Sequence, residues 1–135
     1  MNVTDKTLKA LQIAAKYREM RQEIISSNVA NAETPGYKAK RLEFEEALSR
    51  ALDTDGALSM KKGTDEHYDV GSGGFNNLKP DVIEDPNGVV SQSGNTVDVE
   101  REMSLMAQNK VMHEAIVQLI NKKLALMKYT IASEK

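Results

Sequence analysis

At 135 residues the chain has the length of one domain, but with 40% hydrophobic and only 4% aromatic residues it predicts a thin, aliphatic core. A net charge of −2 lacks the basic excess of dedicated nucleic-acid or anionic-membrane binders, and the absence of Cys excludes disulfides, thiolate metal ligands and a Cys nucleophile. The sequence also shows no uncharged stretch of the roughly 18 residues that a membrane span needs.

The positions of the helix-breaking residues divide the chain into three parts. All eight Gly lie between Gly36 and Gly94, and all three Pro lie between Pro35 and Pro86. Because Gly and Pro disfavour helix interiors, we predict an N-terminal helical segment, a flexible or irregular middle region and a C-terminal helix that forms one structural unit with the first segment. In chain order these are residues 1–52, 53–96 and 97–135.

The N-terminal helix has a predicted start, a predicted end and two apolar rows. Thr4 or Asp5 can cap its first turn by accepting a hydrogen bond from a free backbone amide. Thr34 precedes Pro35, which disfavours the helical conformation, so the helix should stop near Glu33. The two apolar rows would face more than one neighbour. The rows are Ile13, Tyr17, Met20 and Ile24, and Leu8, Leu11, Ala15, Ile25 and Val29.

After this helix the pattern predicts a turn, an extended connector and a short third helix. Pro35 and Gly36 suit the two central positions of a type II turn. Residues 37–42 would form the connector. A helix is predicted over residues 43–52, because apolar residues recur there at helical spacing. These residues are Phe44, Ala47, Leu48 and Ala51.

The C-terminal helix carries a heptad pattern. Acidic residues gather near its start and Lys residues near its end, as the helix dipole favours. Its apolar residues alternate steps of four and three, with Lys110 and His113 as polar interruptions, which is typical of coiled-coil packing. The predicted coiled-coil seam consists of Val99, Met103, Met106, Val117, Ile120, Leu124, Met127 and Ile131. A second apolar face consists of Met112, Ile116, Leu119 and Leu126.

These elements together predict an all-α fold. Long N- and C-terminal helices would pair as a coiled-coil-like hairpin, with a short third helix and a long irregular, flexible middle segment. Because both long helices are apolar on more than one side, a two-helix hairpin cannot bury all of this surface, and we expect self-association. The alternative is a monomer whose loops fold over the second apolar face.

Residue patterns that would carry chemistry are weak. His67 and His113 lie in different segments, and neither has a second His at metal-ligand spacing. A Ca²⁺ loop centred on Gly56 fails because Lys62 stands where a bidentate carboxylate is needed. The glycine-rich run at residues 71–74 is not followed by the Lys-Ser/Thr pair of a phosphate-binding loop. We therefore predict no catalytic residue, no metal site, no cofactor and no small-molecule substrate.

One segment, residues 26–38, stands apart from these weak matches, and it reads SSNVANAETPGYK. Asn28 and Asn31 lie on one helix face at i, i+3, and the Pro-Gly pair ends the helix, but these facts do not explain the whole string. It resembles the N-terminal motif of the flagellar axial proteins, which build the rod and hook. The C-terminal stretch, residues 94–124, is similar to that of the proximal rod members of this family.

The resemblance implies a structural subunit of the bacterial flagellar basal body, without catalysis. Such a subunit belongs to the drive shaft that transmits torque from the membrane ring to the hook, and it is needed for flagellum assembly and motility. The implied partners are other rod subunits, a FliE-type adaptor, the membrane ring and the flagellar export gate, and no nucleic acid. The implied location is the periplasmic rod. Export through the flagellar type III system without a cleaved signal agrees with residues 1–18, which lack a signal-peptide core.

The resemblance also identifies an assembly motif. It consists of Asn28, Asn31, Thr34, Pro35, Gly36 and Tyr37. Because the polar face of Asn28 and Asn31 has no evident partner within the hairpin, we expect it to contact a neighbouring rod subunit.

Two other classes of function stay open. A soluble helical-hairpin adaptor or secretion chaperone could have the same amphipathic ends. An enzyme would need an active site built from carboxylates of the middle region, for which no converging partners are evident. The carboxylates in question are Asp65, Glu66, Asp81, Glu84 and Asp85.

Overall fold

The computed structural model describes residues 3–56 and 80–134, and the side chains of residues 6–52 and 80–134 within them. The mostly helical fold and all three predicted helices are confirmed. In chain order the elements are α1 (Val3–Ala30), β1 (Lys40–Glu43), α2 (Glu45–Gly56), β2 (Asp81–Glu84) and α3 (Val99–Ser133). Within the described ranges, no helix combines the length and the apolar character needed to span a bilayer.

The helix ends follow from local hydrogen bonds. α1 ends at Ala30, earlier than the predicted Glu33, because tighter turns follow it: Ala32 N donates to Val29 O (3.2 Å). α3 begins after Asp98, whose carboxylate accepts a hydrogen bond from Arg101 N (3.3 Å). This contact gives a partner to one of the free amides of the first helical turn.

α1 and α3 form an antiparallel hairpin. Asn28, near the end of α1, contacts Glu102, near the start of α3. Further from this junction, Arg18 of α1 contacts Asn109 of α3. The predicted pairing of the two long helices is therefore confirmed.

The apolar core lies on another side of α1, against β1 and α2. Its buried residues include Tyr17, Leu42 and Phe44, and the ring centroids of Tyr17 and Phe44 lie 5.3 Å apart. The predicted row Ile13, Tyr17, Met20 and Ile24 packs into this core. The prediction that the first helix has more than one neighbour is confirmed.

β1 and β2 form a two-stranded antiparallel sheet, in which Lys40 lies opposite Glu84 and Glu43 opposite Asp81. The strand β2 corrects the prediction for residues 81–84, which we expected to be irregular. A four-residue strand whose partner lies far away in the sequence has little local signal, because its backbone hydrogen bonds are made with that distant partner. The predicted third helix, residues 43–52, is observed as α2, which begins at Glu45 and extends to Gly56. The predictions for residues 57–79, including His67, lie outside the described residues.

The face that α3 turns toward α1 differs from the predicted seam. The two buried residues of α3 are Glu102 and Asn109. Of the predicted seam, Met106, Ile120 and Met127 are half-buried, and the remaining residues are exposed: Val99, Met103, Val117, Leu124 and Ile131. The seam therefore stays a prediction; within the hairpin, α1 offers polar partners to Glu102 and Asn109.

Candidate functional site

The motif at residues 26–38 forms the end of α1 and the turn that follows it. Tyr37 N donates a hydrogen bond to Thr34 O (3.3 Å), and Gly36 between them has a φ of +73°. A positive φ is what the second central position of a type II turn requires, and Gly adopts it without steric cost. The predicted turn is therefore present, and it brings the following residues back beside the end of α1.

Asn28 lies near the end of α1, beside this turn, and is completely buried (0% exposed). Its Nδ2 donates to Lys40 O (2.9 Å) and to Glu102 Oε2 (3.1 Å). Its Oδ1 accepts hydrogen bonds from Lys40 N (3.0 Å) and from the Tyr37 hydroxyl (3.2 Å). All four hydrogen bonds of a side-chain amide are thus made within the chain. The expectation that Asn28 has no partner in the hairpin is wrong, because residue spacing alone does not show that β1 and α3 meet at this point.

The side chains of Asn31 and Thr34, also in the predicted assembly motif, make local contacts. Asn31 Nδ2 donates to Ser27 O (2.8 Å), and Asn31 Oδ1 accepts a hydrogen bond from the Thr34 hydroxyl (3.2 Å). Thr34, Pro35 and Gly36 are exposed. The tip of the turn is therefore the part of the motif that another molecule can reach.

A second buried Asn, Asn95, holds the turn from the opposite side. It is 4% exposed, and its Nδ2 donates to the carbonyl oxygens of Asn31 and Thr34, both at 2.8 Å. Its Oδ1 accepts a hydrogen bond from Val97 N (2.7 Å). Backbone carbonyl groups at the end of a helix have no hydrogen-bond donor within the helix. Asn95, from the segment before α3, donates to two carbonyl groups that directly follow α1.

The backbone of this segment lies directly against the turn. Gly36 N donates to Ser93 O (2.9 Å), and Thr96 N donates to Tyr37 O (3.0 Å). Gly94 has a φ of +80°, and a Cβ atom added there would lie 3.4 Å from the Cα of Gly36. The two segments therefore meet through Gly residues, which allow their backbones to approach closely.

Four charged side chains, Arg41, Asp85, Arg101 and Glu102, form an ionic cluster beside this turn. Asp85 Oδ2 lies 2.8 Å from both Arg41 Nη2 and Arg101 Nη1. Glu102 accepts hydrogen bonds from Arg41 and Asn28. The side chains of Asp85 and Glu102 are 2% and 1% exposed. Two buried carboxylates thus face two guanidinium groups, which is the condition under which charge can be buried without a large cost.

We call the contacts between residues 28–41 and residues 85–102 the motif clasp. It ties the end of α1 to the start of α3. One heptad beyond it, a second polar contact joins the same two helices: Asn109 is 3% exposed, and its Nδ2 donates to Arg18 O (2.8 Å) and to Gln22 Oε1 (3.1 Å). Burial lowers the pKa of the Arg18 guanidinium, and the neighbouring charge of Arg21 lowers it further.

The motif clasp presents no reactive constellation. Among residues 3–56 and 80–134, no group of three or more His, Cys, Asp or Glu side chains is placed to hold a metal ion. Of the carboxylates considered for an active site, Asp85 is bound by two arginines, and Asp81 and Glu84 are exposed on β2. Asp65 and Glu66 lie outside the described residues. The arrangement joins two parts of the chain and holds them in place.

The sequence of this chain is similar to those of known proteins, both in α1 with its turn and over most of its length. The family model described as "Flagella basal body rod protein" matches residues 1–38, which span α1 and the turn. The flagellar basal body rod protein FlgB of Aeromonas hydrophila is 32% identical over 90% of this chain and 89% of its own length. This chain belongs to the FlgB family. FlgB of Bacillus subtilis strain 168 is 29% identical over the full length of both chains, and FlgB of Escherichia coli K12 is 29% identical over 82% of this chain and 81% of its own length.

Membership of the FlgB family confirms the predicted resemblance. The chain is a structural subunit of the rod of the flagellar basal body, and its biological context is flagellar motility.

In this member of the FlgB family, several residues that join α1 to α3, in the motif clasp and at Asn109, were not predicted as site residues. Gly94 and Asn95 stood only in the string that carried the resemblance, although a Gly-Asn pair is a recognisable turn signal. Glu102 and Asn109 were missed because hydrophobic periodicity gives no weight to polar residues. The available signal was their separation of one heptad, which places both on one line of α3.

Proposed function

We propose that the chain is a proximal-rod subunit whose α1–α3 hairpin packs side by side with the hairpins of other rod subunits. Packed in this way, the subunits form the part of the drive shaft that transmits torque from the membrane ring to the hook. The observation that carries this proposal is the large apolar surface that α3 exposes.

This surface extends along the whole of α3. Its large hydrophobic side chains are between 37% and 75% exposed. They are Val99, Met103, Val111, Met112, Val117, Leu119, Leu124, Leu126, Tyr129 and Ile131. Monomeric soluble proteins rarely expose this much apolar surface, and large exposed apolar areas mark contacts between proteins. Packing between rod subunits would cover it.

The tip of the turn is a second candidate contact. Thr34, Pro35 and Gly36 are exposed, whereas Asn28 behind them is buried. We therefore place the assembly contact of the predicted motif at the tip. Asn28 and the Tyr37 hydroxyl hold the tip in position through their hydrogen bond of 3.2 Å.

The further partners in this proposal come from the family resemblance. They are a FliE-type adaptor, the membrane ring and the flagellar export gate, and the route is type III export to the periplasmic rod without a cleaved signal. A non-enzymatic role is part of the same proposal, and it is supported by the structural character of the FlgB family. Family membership gives no support to the adaptor or chaperone alternative.

Disruption of the gene tests the proposed function. We expect cells that lack the protein to have no flagella and not to swim, and a plasmid copy to restore both. Flagellated cells without the gene would contradict a role in the rod. In solution, the purified chain should associate in an open-ended, concentration-dependent way, as heterologous interfaces do, whereas an adaptor would stop at a small oligomer.

A further inference from the structure

A cleft of about 390 Å³ lies between α1, β1 and α3. Four arginine side chains line it, and we call it the arginine cleft. They are Arg18 and Arg21 of α1, Arg41 of β1 and Arg101 of α3. Pockets that bind small molecules have volumes of about 300–1,000 Å³. The arginine cleft is therefore large enough to receive a side chain of another molecule.

Three of these arginines have a carboxylate partner within the chain. Asp85 pairs with two of them, Arg41 and Arg101. Glu45 pairs with the third, Arg21. In the described part of the chain, the fourth guanidinium of the arginine cleft has no carboxylate partner.

The unpaired guanidinium is that of Arg18. Its Nη1 donates to Asn109 Oδ1 over a long 3.4 Å, and its Nε is buried without a hydrogen-bond partner among the described residues. The group lies 5.3 Å from the centre of the Phe44 ring, against which the guanidinium of Arg21 also packs. A guanidinium has five N–H donors, and a carboxylate can accept two of them at once. Arg18 therefore has donors and a charge that the described residues do not satisfy.

The charge of the arginine cleft is opposite in sign to that of the whole chain. Among the described residues its lining contains five cationic side chains and three carboxylates, whereas the chain has a net charge of −2. Burial lowers the pKa of the Arg18 guanidinium, the charge of Arg21 lowers it further, and the charge of Glu45 raises it. An added anion would act in the same direction as Glu45 and stabilise the charge of Arg18.

Part of the lining is apolar, which favours a carboxylate on a hydrocarbon stem. Ile24 of α1, Leu42 of β1 and Leu105 of α3 line the cleft together with the arginines. The stem would contact these apolar side chains while the carboxylate contacts a guanidinium. Glu43 and Glu45 also line the cleft. They repel a doubly charged phosphate more strongly than a singly charged carboxylate.

We infer that the arginine cleft binds the carboxylate of an Asp or Glu side chain on a neighbouring protein, and that this carboxylate pairs with the Arg18 guanidinium. That the neighbour is a rod protein rests on the proposed function, whereas the binding of a carboxylate does not. In the isolated chain Arg18 keeps a half-buried charge without an anionic partner, and the neighbour's carboxylate neutralises it on binding.

Nuclear magnetic resonance of the full-length chain tests the binding of a carboxylate. The titrant is a glutamate that is acetylated at its N-terminus and amidated at its C-terminus, so that it has one carboxylate. We expect a saturable shift of the Arg18 Nε–H signal, which is assigned by its absence in Arg18→Met. The matched glutamine compound has no charge and should cause no shift. Equal shifts with both compounds, no shift with either, or a larger shift with inorganic phosphate would overturn the inference.

The stability of the isolated chain distinguishes this role from a structural one. Arg18→Met removes the unpaired charge and keeps a side chain that can contact the Phe44 ring, so we expect a urea midpoint at least as high as that of the native chain. Arg21→Met removes a paired charge and should lower the midpoint. A lowered midpoint for Arg18→Met would show that Arg18 holds the hairpin together, and it would overturn the inference.

Swimming tests the role of the arginine cleft in assembly. We expect Arg18→Met to be exported but to reduce the diameter of the swimming ring several-fold. Lys16→Met is the control, because it removes a positive charge from an exposed position of α1 outside the cleft, and it should swim normally. Normal swimming of Arg18→Met would overturn the inference and leave the proposed function intact, since disruption of the whole gene tests that function separately.

Discussion

The side chain of Asn28 contacts three other parts of the chain. Its amide group contacts the backbone of Lys40, the hydroxyl of Tyr37 and the carboxylate of Glu102. Each of these groups needs a partner when it is buried, so the loss of Asn28 affects all of them. Asn31, three residues later, contacts only its own turn through its side chain.

This difference predicts unequal effects of two Ala substitutions. Asn28→Ala should lower the free energy of unfolding by about 3 kcal/mol, because it leaves buried polar groups unpaired. Asn31→Ala should lower it by about 1 kcal/mol at most, since its side chain makes local bonds near solvent. Urea denaturation of both variants measures the difference. Equal midpoints would show that Asn28 does not hold the motif clasp together.

Substitutions of Gly36 test whether the turn requires Gly for its positive φ or for the lack of room for a side chain. Its φ is +73°, and a Cβ added there would meet no atom within 4 Å. Gly36→Asn should therefore be nearly silent, because Asn tolerates this conformation, whereas Gly36→Val should cost about 1 kcal/mol or more. Thermal denaturation measures both. A Val variant as stable as the Asn variant would mean that the turn adopts another conformation at no cost.

At the scale of elements, α2 is attached to α1 through a charged pair at its first turn. Arg21 donates to Glu45 Oε2 (2.8 Å) and to Leu42 O (2.7 Å), and its guanidinium lies 4.5 Å from the centre of the Phe44 ring. Burial alone would raise the pKa of Glu45. Hydrogen bonds from Arg21 and from backbone amides outweigh this and lower it from 4.5 to about 2.

The lowered pKa of Glu45 predicts a pH dependence. The stabilisation by its ionised form is complete above about pH 4.5 and is lost as the pH falls toward about 2. Because the side chain is 54% exposed, we expect the effect to be below about 1 kcal/mol. In urea titrations at about pH 6 and about pH 3, the stability difference between the native chain and Glu45→Gln should shrink at the lower pH.

Glu46→Gln is the matched control for this experiment, since Glu46 also lies in the first turn of α2 and has an exposed partner, Arg50. Glu46→Gln measures how much stability is lost when any negative charge near the start of a helix is removed. If Glu45→Gln and Glu46→Gln respond to pH in the same way, the pairing with Arg21 has no stabilising role.

The helices could be predicted from the sequence because helix formation depends on local residues. The apolar row at Ile13 and Tyr17 was assigned correctly, since its periodicity is the direct cause of its burial. β2 and the burial of Glu102 and Asn109 in α3 were not predicted, because both depend on partners distant in the sequence. The same holds for the motif clasp: the turn at Gly36 was predicted from local chemistry, whereas the contacts of Asn95 were not, because their partners lie 61 and 64 positions away.

At the scale of the whole molecule, buried polar contacts join α1 to α3, and α3 leaves many large apolar side chains exposed. Leu124→Asp should therefore change the stability of the isolated chain by less than about 0.5 kcal/mol, because Leu124 is 45% exposed, but it should abolish swimming with export retained. Urea denaturation measures the stability, a secretion assay measures export, and a motility assay measures swimming. Gln118→Asp, on another face of α3, is the control that should swim, and swimming Leu124→Asp cells would remove Leu124 from the assembly surface.

The long separation between the two sides of the motif clasp affects the order of events during synthesis. Asn28 is made 74 residues before Glu102, and Asn31 is made 64 residues before Asn95. Until the later residue of each pair has been made, these two contacts cannot form, and contacts over such separations also close slowly. The motif clasp therefore forms only after the start of α3 has been made, whereas the core residues Tyr17, Leu42 and Phe44 lie within 28 positions of one another.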